Sequence, residues 1–197
     1  MHLFIELLTL IFFLGFVAHA VAMRGRAGAG FFAAMLLLGF LRENLVILRD
    51  ILYGFSPLHL LLGRAPLIAS IIWGYSIYAA VVWAEAVSGE RFGSRRPSGR
   101  FLGLAALFMI ALACFYEPFL KLIDMARWQE GTRSTLDVPW ITWIGYPTMA
   151  VLFLPLWGWA MGMDSRAKRL AALLIPLPFL AFGHALALQA LKSALGW

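Results

Sequence analysis

The stretch FLGLAALFMIALACFYEPFL, residues 101–120, holds one charged side chain, Glu117, in twenty positions. At ~1.5 Å per residue a helix of this length covers the ~30 Å hydrocarbon core of a bilayer, so the stretch reads as a transmembrane helix with a carboxylate near its end. Segments 3–22, 27–47, 65–86, 140–162 and 170–191 have the same character. With 62% apolar and 13% charged residues and a mean hydropathy of +0.85, the chain lacks the polar surface that a water-soluble domain needs. The predicted fold class is therefore all-α, a polytopic integral membrane protein of six transmembrane helices. The spans use nearly all of the 197 residues, which predicts one transmembrane domain over 1–197 with no soluble appendage. Ala18-His19-Ala20 resembles a signal-cleavage site, but the first segment has no basic lead and Glu6 interrupts it, so it reads as a retained helix.

On this layout Glu6, Glu43 and Glu117 each fall one or two turns inside the same membrane boundary, and His184 and Gln189 approach that depth from the last span. A carboxylate in hydrocarbon is costly unless it is paired or protonated. Three at one depth predict a polar cavity near that face. Orientation follows from the basic residues. The connections at 24–26, 91–100 and 166–169 hold nine of them against Glu85, Glu90 and Asp164, a net of +6. The other side carries seven basic residues (Arg42, Arg49, Arg64, Lys121, Arg127, Arg133 and Lys192) and seven acidic ones. The positive-inside rule then places both termini and the two long connections outside the cytoplasm. The expected location is a bacterial inner membrane. Arg91, Arg95, Arg96 and Arg100 lie on a short Gly/Ser/Pro-rich connector, which predicts contact with anionic membrane lipids rather than with nucleic acid.

A self-comparison finds a possible repeat. Glu43 is followed by Pro66 and, seven positions on, by Trp73; Glu117 is followed by Pro139 and, seven positions on, by Tyr146. Both stretches read as a helix ending in a carboxylate, a loop, and a proline that opens the next helix. Two spans separate the copies, so they share one orientation, a parallel repeat of the kind transporters use. Glu43 and Glu117 would then face each other across a pseudo-two-fold axis.

The second loop is the richer in chemistry. If Pro118 opens a short helix that Gly131 stops, then Lys121, Asp124 and Trp128 share one stripe at spacings of three and four. A bland reading stands beside this one: Trp128, Trp140 and Trp143 are belt aromatics at the lipid headgroups, and Lys121 neutralises Glu117 or Asp124. Acids beside aromatic faces in an apolar cavity also suit a definite reaction. A buried carboxylic acid can protonate an isolated alkene, and aromatic faces can stabilise the resulting cation.

Glu117-Pro118, Trp128, Val138-Pro139 and Gly145-Tyr146 resemble the Asp-Pro, Trp, Gly-Val-Pro, Asn, Gly-Trp pattern of membrane-bound carotenoid hydratases of the bisanhydrobacterioruberin hydratase type. Upstream, Glu43, Tyr53, Pro66, Trp73 and Tyr78 resemble that family's earlier segment of a glutamate, an aromatic-rich loop, a proline and an aromatic helix. The likeness spans residues 43–146. Glu117 replaces the family's aspartate, Thr142 its asparagine, and Asp137 the glycine before Val138. The resemblance implies a multi-pass enzyme that adds water across the terminal double bond of a linear carotenoid or related isoprenoid. In such a reaction Glu117 would be the general acid, Asp124 would orient the water and Glu43 would complete the acidic set, with Tyr53 and Trp128 flanking the cationic carbon and the substrate lying against Tyr53, Trp73, Trp128, Thr142 and Tyr146.

Other chemistries find less support. The histidines at 2, 19, 59 and 184 form no close pair at metal-ligand spacing, and the single cysteine, Cys114, excludes an intrachain disulfide. No phosphate loop or nucleophile elbow is present, so neither a metal nor another cofactor is expected. Two further classes remain: a transporter whose acids carry protons, and a non-catalytic subunit that packs its acids against a larger membrane complex. The orientation has a direct test. In a Cys114→Ser background, Ser134→Cys should react with an impermeant maleimide on intact cells, and Ser94→Cys only after permeabilisation; the opposite pattern would invert the topology.

Overall fold

The computed structural model describes residues 2–48, 53–56, 59–93, 96–129 and 132–196. Seven α-helices dominate it: α1 (His2–Arg24), α2 (Arg26–Leu48), α3 (Leu67–Ser88), α4 (Gly99–Leu122), α5 (Trp140–Met161), α6 (Arg166–Leu174) and α7 (Pro176–Ala194). The first five, and α6 with α7 taken as one stretch, are long and apolar enough to cross a membrane, which gives six candidate spans. The chain is an all-α, multi-pass membrane protein. Local chemistry sets the ends. Ser98 caps α4 by accepting from Phe101 N, and Ser165 caps α6 by accepting from Lys168 N. Gly89 closes α3 at φ 73° with its N–H on Glu85 O, a left-handed cap that side chains disfavour.

One expectation about proline needs correction. Pro118 does not open a new helix; α4 runs through it to Leu122, as α5 runs through Pro147 and Pro155. Proline removes one intrahelical bond, and a helix covered by neighbours tolerates that. Lys121 and Asp124 therefore do not share a helical stripe with Trp128, which lies on a strand; Gly131 is outside the described residues. The last span, expected over 170–191, starts earlier, at Arg166, and is interrupted between α6 and α7 at Ile175–Pro176, where proline removes a backbone donor.

The repeat is visible element by element. Between α2 and α3 the chain forms β1 (Tyr53–Phe55), β2 (Leu61–Leu62) and β3 (Ala65–Pro66); between α4 and α5 it forms β4 (Ala126–Trp128), β5 (Ser134–Thr135) and β6 (Val138–Pro139). In each copy the second and third strands make a hairpin, and a proline with nearly the same backbone angles precedes a 22-residue helix: Pro66 at φ −58°, ψ 137° and Pro139 at φ −59°, ψ 136°. The bond from Leu67 N to Leu60 O recurs from Trp140 N to Arg133 O. From the first strand onward the copies are 73 residues apart, as Pro66 is from Pro139, whereas Glu43 and Glu117 are 74 apart. The second loop is thus one residue shorter. β1 and β4 pair antiparallel with Gly54 opposite Arg127 at the centre, which puts a local two-fold between the copies.

All seven helices contribute to one apolar cluster, with Met35, Ile77, Met109, Met149 and Leu177 fully buried. α2 packs on α3, α3 on α4 and α4 on α5, while α7 packs against α2 and α5. α1 lies on α2 and α3 and leaves Phe4, Ile11 and Phe12 exposed toward lipid. α2 and α3 approach so closely at Gly39 that a Cβ there would sit 2.9 Å from Ser70 O and 3.1 Å from Ser70 Cα. Gly39→Leu should therefore destabilise the detergent-solubilised protein by ~1–3 kcal/mol in thermal unfolding. Gly15→Leu, where a Cβ meets nothing within 4 Å, should leave the midpoint unchanged.

Candidate functional site

At the end of the bundle where α2 and α4 finish, a cavity of ≈ 40 Å³ opens beneath the β1–β4 pair. A water needs ~10–15 Å³ by this measure, so the space holds about three waters. Glu43, Glu117, Tyr53, Trp73, Trp128, Thr142 and Tyr146 all line it. Asp124 does not. It follows the end of α4 at φ 50°, stands at the surface, and takes both Arg127 Nε and Nη2 at 2.8 Å. An acid held in a bidentate pair outside the cavity does not orient a water inside it, which corrects its expected role. Glu6 lies elsewhere as well: its Oε1 accepts Leu60 N at 2.7 Å and meets His59 Nδ1 at 3.2 Å, tying α1 to the first loop. Gln189 is half-buried and outside the lining.

The lining reads as symmetry-related pairs. Glu43 matches Glu117 near the ends of α2 and α4; at the common step of 73, Tyr53 matches Ala126, Phe55 matches Trp128, Ala69 matches Thr142, Ile72 matches Gly145, and Trp73 matches Tyr146. Trp73 and Tyr146 meet with ring centroids 5.0 Å apart, and Tyr53 lies 4.8 Å from its cross-strand neighbour Trp128. The cavity therefore sits on the two-fold.

The two carboxylates have different company. Glu43 accepts from Arg42 Nη1 and Trp73 Nε1 (2.6 Å) on one oxygen and from the Tyr53 hydroxyl on the other. Burial pushes the Tyr53 phenol well above its ordinary range, so it stays protonated; it donates to Glu43 and accepts from Arg42 Nη1 at 2.9 Å. Glu117 accepts from Trp128 Nε1 at 3.0 Å and hydrogen-bonds the Tyr146 hydroxyl. Its bonded partners are neutral, whereas Glu43 holds a guanidinium. Thr142 gives its hydroxyl proton to Pro139 O at 2.7 Å, which leaves the oxygen as an acceptor.

Arg42 is the cavity residue that sequence reading passed over, because it was counted with the loop charges. It is only 4% exposed. Its guanidinium lies 4.6 Å from the Trp73 ring centroid, and its Nε approaches His184 Nδ1 at 3.4 Å. His184 in turn places Nε2 3.1 Å from Gly145 O. A carbonyl only accepts, so the proton is on Nε2 and Nδ1 receives Arg42. This occurs beside Pro147, where Thr148 Oγ1 donates to Ile144 O and its oxygen faces His184 Nε2 at 3.1 Å. A cation within an apolar span, next to an acid, was the available signal.

Among the described residues no group of three or more His, Cys, Asp or Glu side chains is arranged to hold a metal ion. Searches against protein-family models, curated proteins and solved structures find no match to this chain. The Arg42–Glu43 pair has its own test. Arg42→Gln leaves a buried carboxylate without its cation and should cost ~3–5 kcal/mol in thermal unfolding, and Arg42→Gln/Glu43→Gln together should recover most of that loss. A double variant no more stable than the single one would show that the pair does not carry this part of the fold.

Proposed function

We propose that the chain is a membrane hydratase that adds water to the terminal double bond of an acyclic carotenoid or related isoprenoid. The observation that carries this reading is the pairing, in one small cavity, of a cation-bound carboxylate, Glu43, with a carboxyl group bonded to neutral donors, Glu117. Two acids in unlike surroundings can divide acid and charge-stabilising work. Glu117 gives its proton to the terminal alkene carbon, and the neighbouring carbon becomes cationic. Trp73, Trp128 and Tyr146 face that carbon with their rings, while Glu43, kept ionised by Arg42, supplies negative charge nearby. A water in the cavity adds to the cation and returns a proton to Glu117, so the carboxyl group is regenerated. The end of a polyene enters and the rest stays between helices or in the bilayer, since the cavity has no room for a long chain. The basic connections face the cytoplasm in this reading, and the cavity opens toward the outer leaflet.

The small size of the cavity also favours a second reading, in which the acids are helix-packing groups of a non-catalytic membrane subunit that binds lipid or protein partners. One substitution separates the two. Glu117→Gln keeps the shape and removes the proton, so hydration of acyclic carotenoids in membranes should fall by ~10² to 10⁴, with carotenoid retention unchanged. Full activity in Glu117→Gln, or no hydration by the wild type, would leave the subunit reading.

A further inference from the structure

At the opposite end of the bundle, α2, α5 and α6 enclose an open groove of ≈ 910 Å³. Its walls are apolar, with Leu37, Trp157, Leu170 and Leu173 along the sides and Ala27, Gly30 and Ala33 giving a shallow floor on α2. Its charged lining residues are three arginines, Arg26, Arg166 and Arg169, and no carboxylate lines it. None of the three is ion-paired among the described residues. All three sit at one end, because Arg26 is the first residue of α2 and Arg166 the first of α6. Met161 closes the α5 side, and a second hollow of ≈ 350 Å³ shares Ala27, Trp157, Met161 and Arg169 with the groove.

Length decides what fits. From Arg26 to Leu37 the groove follows eleven residues of α2, which is ~16 Å at helical rise. That is half of a ~30 Å hydrocarbon core, the depth of one leaflet. A cationic mouth at headgroup level above an apolar slot one leaflet deep matches an anionic amphiphile with an extended chain. A water-soluble anion would leave the slot unfilled, and a neutral chain would leave the arginines unmatched. We infer that this groove is a binding site for an anionic phospholipid, with its phosphate among Arg26, Arg166 and Arg169 and one acyl chain lying over Ala27, Gly30 and Ala33 toward Leu37. Basic pockets between transmembrane helices hold such headgroups. The site is independent of the carboxylate cavity, since Glu43 lies seventeen residues along α2 from Arg26, or ~26 Å.

The test uses the intact protein in detergent and in vesicles. Native mass spectrometry after purification should show retained phosphatidylglycerol, and titration of phosphatidylcholine vesicles with phosphatidylglycerol should raise the thermal midpoint in a saturable way. Inorganic phosphate should not. Arg26→Gln/Arg166→Gln/Arg169→Gln should bind phosphatidylglycerol roughly 100-fold more weakly, at roughly five-fold per arginine, while Lys168→Gln, whose ammonium pairs with Asp164, should bind as the wild type does. Ala33→Trp fills the floor and keeps every arginine, so it should also lose the lipid; it decides the matter if the triple variant fails to fold. Equal retention of phosphatidylcholine, stabilisation by inorganic phosphate alone, or full retention in Ala33→Trp would overturn the assignment. Hydratase activity enters none of these readouts.

Discussion

A carboxylate buried in a bilayer is beyond the reach of bulk water and costly unless the protein supplies donors, and Glu43 gathers its donors from three elements. Arg42 comes from the same helix, Tyr53 from the first strand of the loop and Trp73 from the helix after it. Satisfying that one group fixes where the loop returns over the end of the bundle and how far α3 is rotated. The guanidinium that serves Glu43 also reaches His184 on α7, so the last helix is placed by the same demand. Breaking such a pair costs far more than its net contribution to stability, because the remaining charge stays buried. The arrangement is therefore better understood as a device for specifying one packing than as a source of stability.

Symmetry and its violation are both informative. The two halves supply matching residues to the cavity, yet Arg42 corresponds by the helix step of 74 to Tyr116, so the second half has no cation of its own at that point. The strands break the match again: Glu43 takes its donor from the first position of β1 and Glu117 from the last position of β4. A symmetric pair of acids would have been two copies of one environment. The asymmetric pair gives two environments within one small space, one holding a guanidinium and one only neutral donors.

The fold class was legible because hydrophobic length is a blunt constraint: spans of 20 or so apolar residues have few alternatives. The repeat was legible from three matched positions, Glu, Pro and aromatic, since those are the residues the geometry depends on: a group to be satisfied, a helix start and its donor. What escaped was non-local. Lys121, Asp124 and Trp128 have helical spacing, but the segment after α4 becomes a strand because β1, more than 70 residues earlier, offers it an antiparallel partner. Asp124 faces out because Arg127, three residues on, holds it at the surface. Arg42 was hidden by bookkeeping, since a cation near a span's end looks like a loop charge until its neighbours are known. The interruption at Ile175–Pro176, by contrast, was legible, since a proline inside a span cannot donate to the preceding turn.

The placement of donors also bears on how such a chain is made. Glu43 finds Arg42, Tyr53 and Trp73 inside its own repeat, and Glu117 finds Trp128 and Tyr146 inside the other. Each helical hairpin can therefore leave the insertion machinery with its acid already satisfied, and association follows as docking between finished units. The β1–β4 pair and the Trp73–Tyr146 contact are the seams of that docking. α7 emerges after both repeats and sets His184 against Arg42 and Gly145, one residue from each half. The order of synthesis thus leaves to α7 the role of a latch across a joint that the two repeats have already formed.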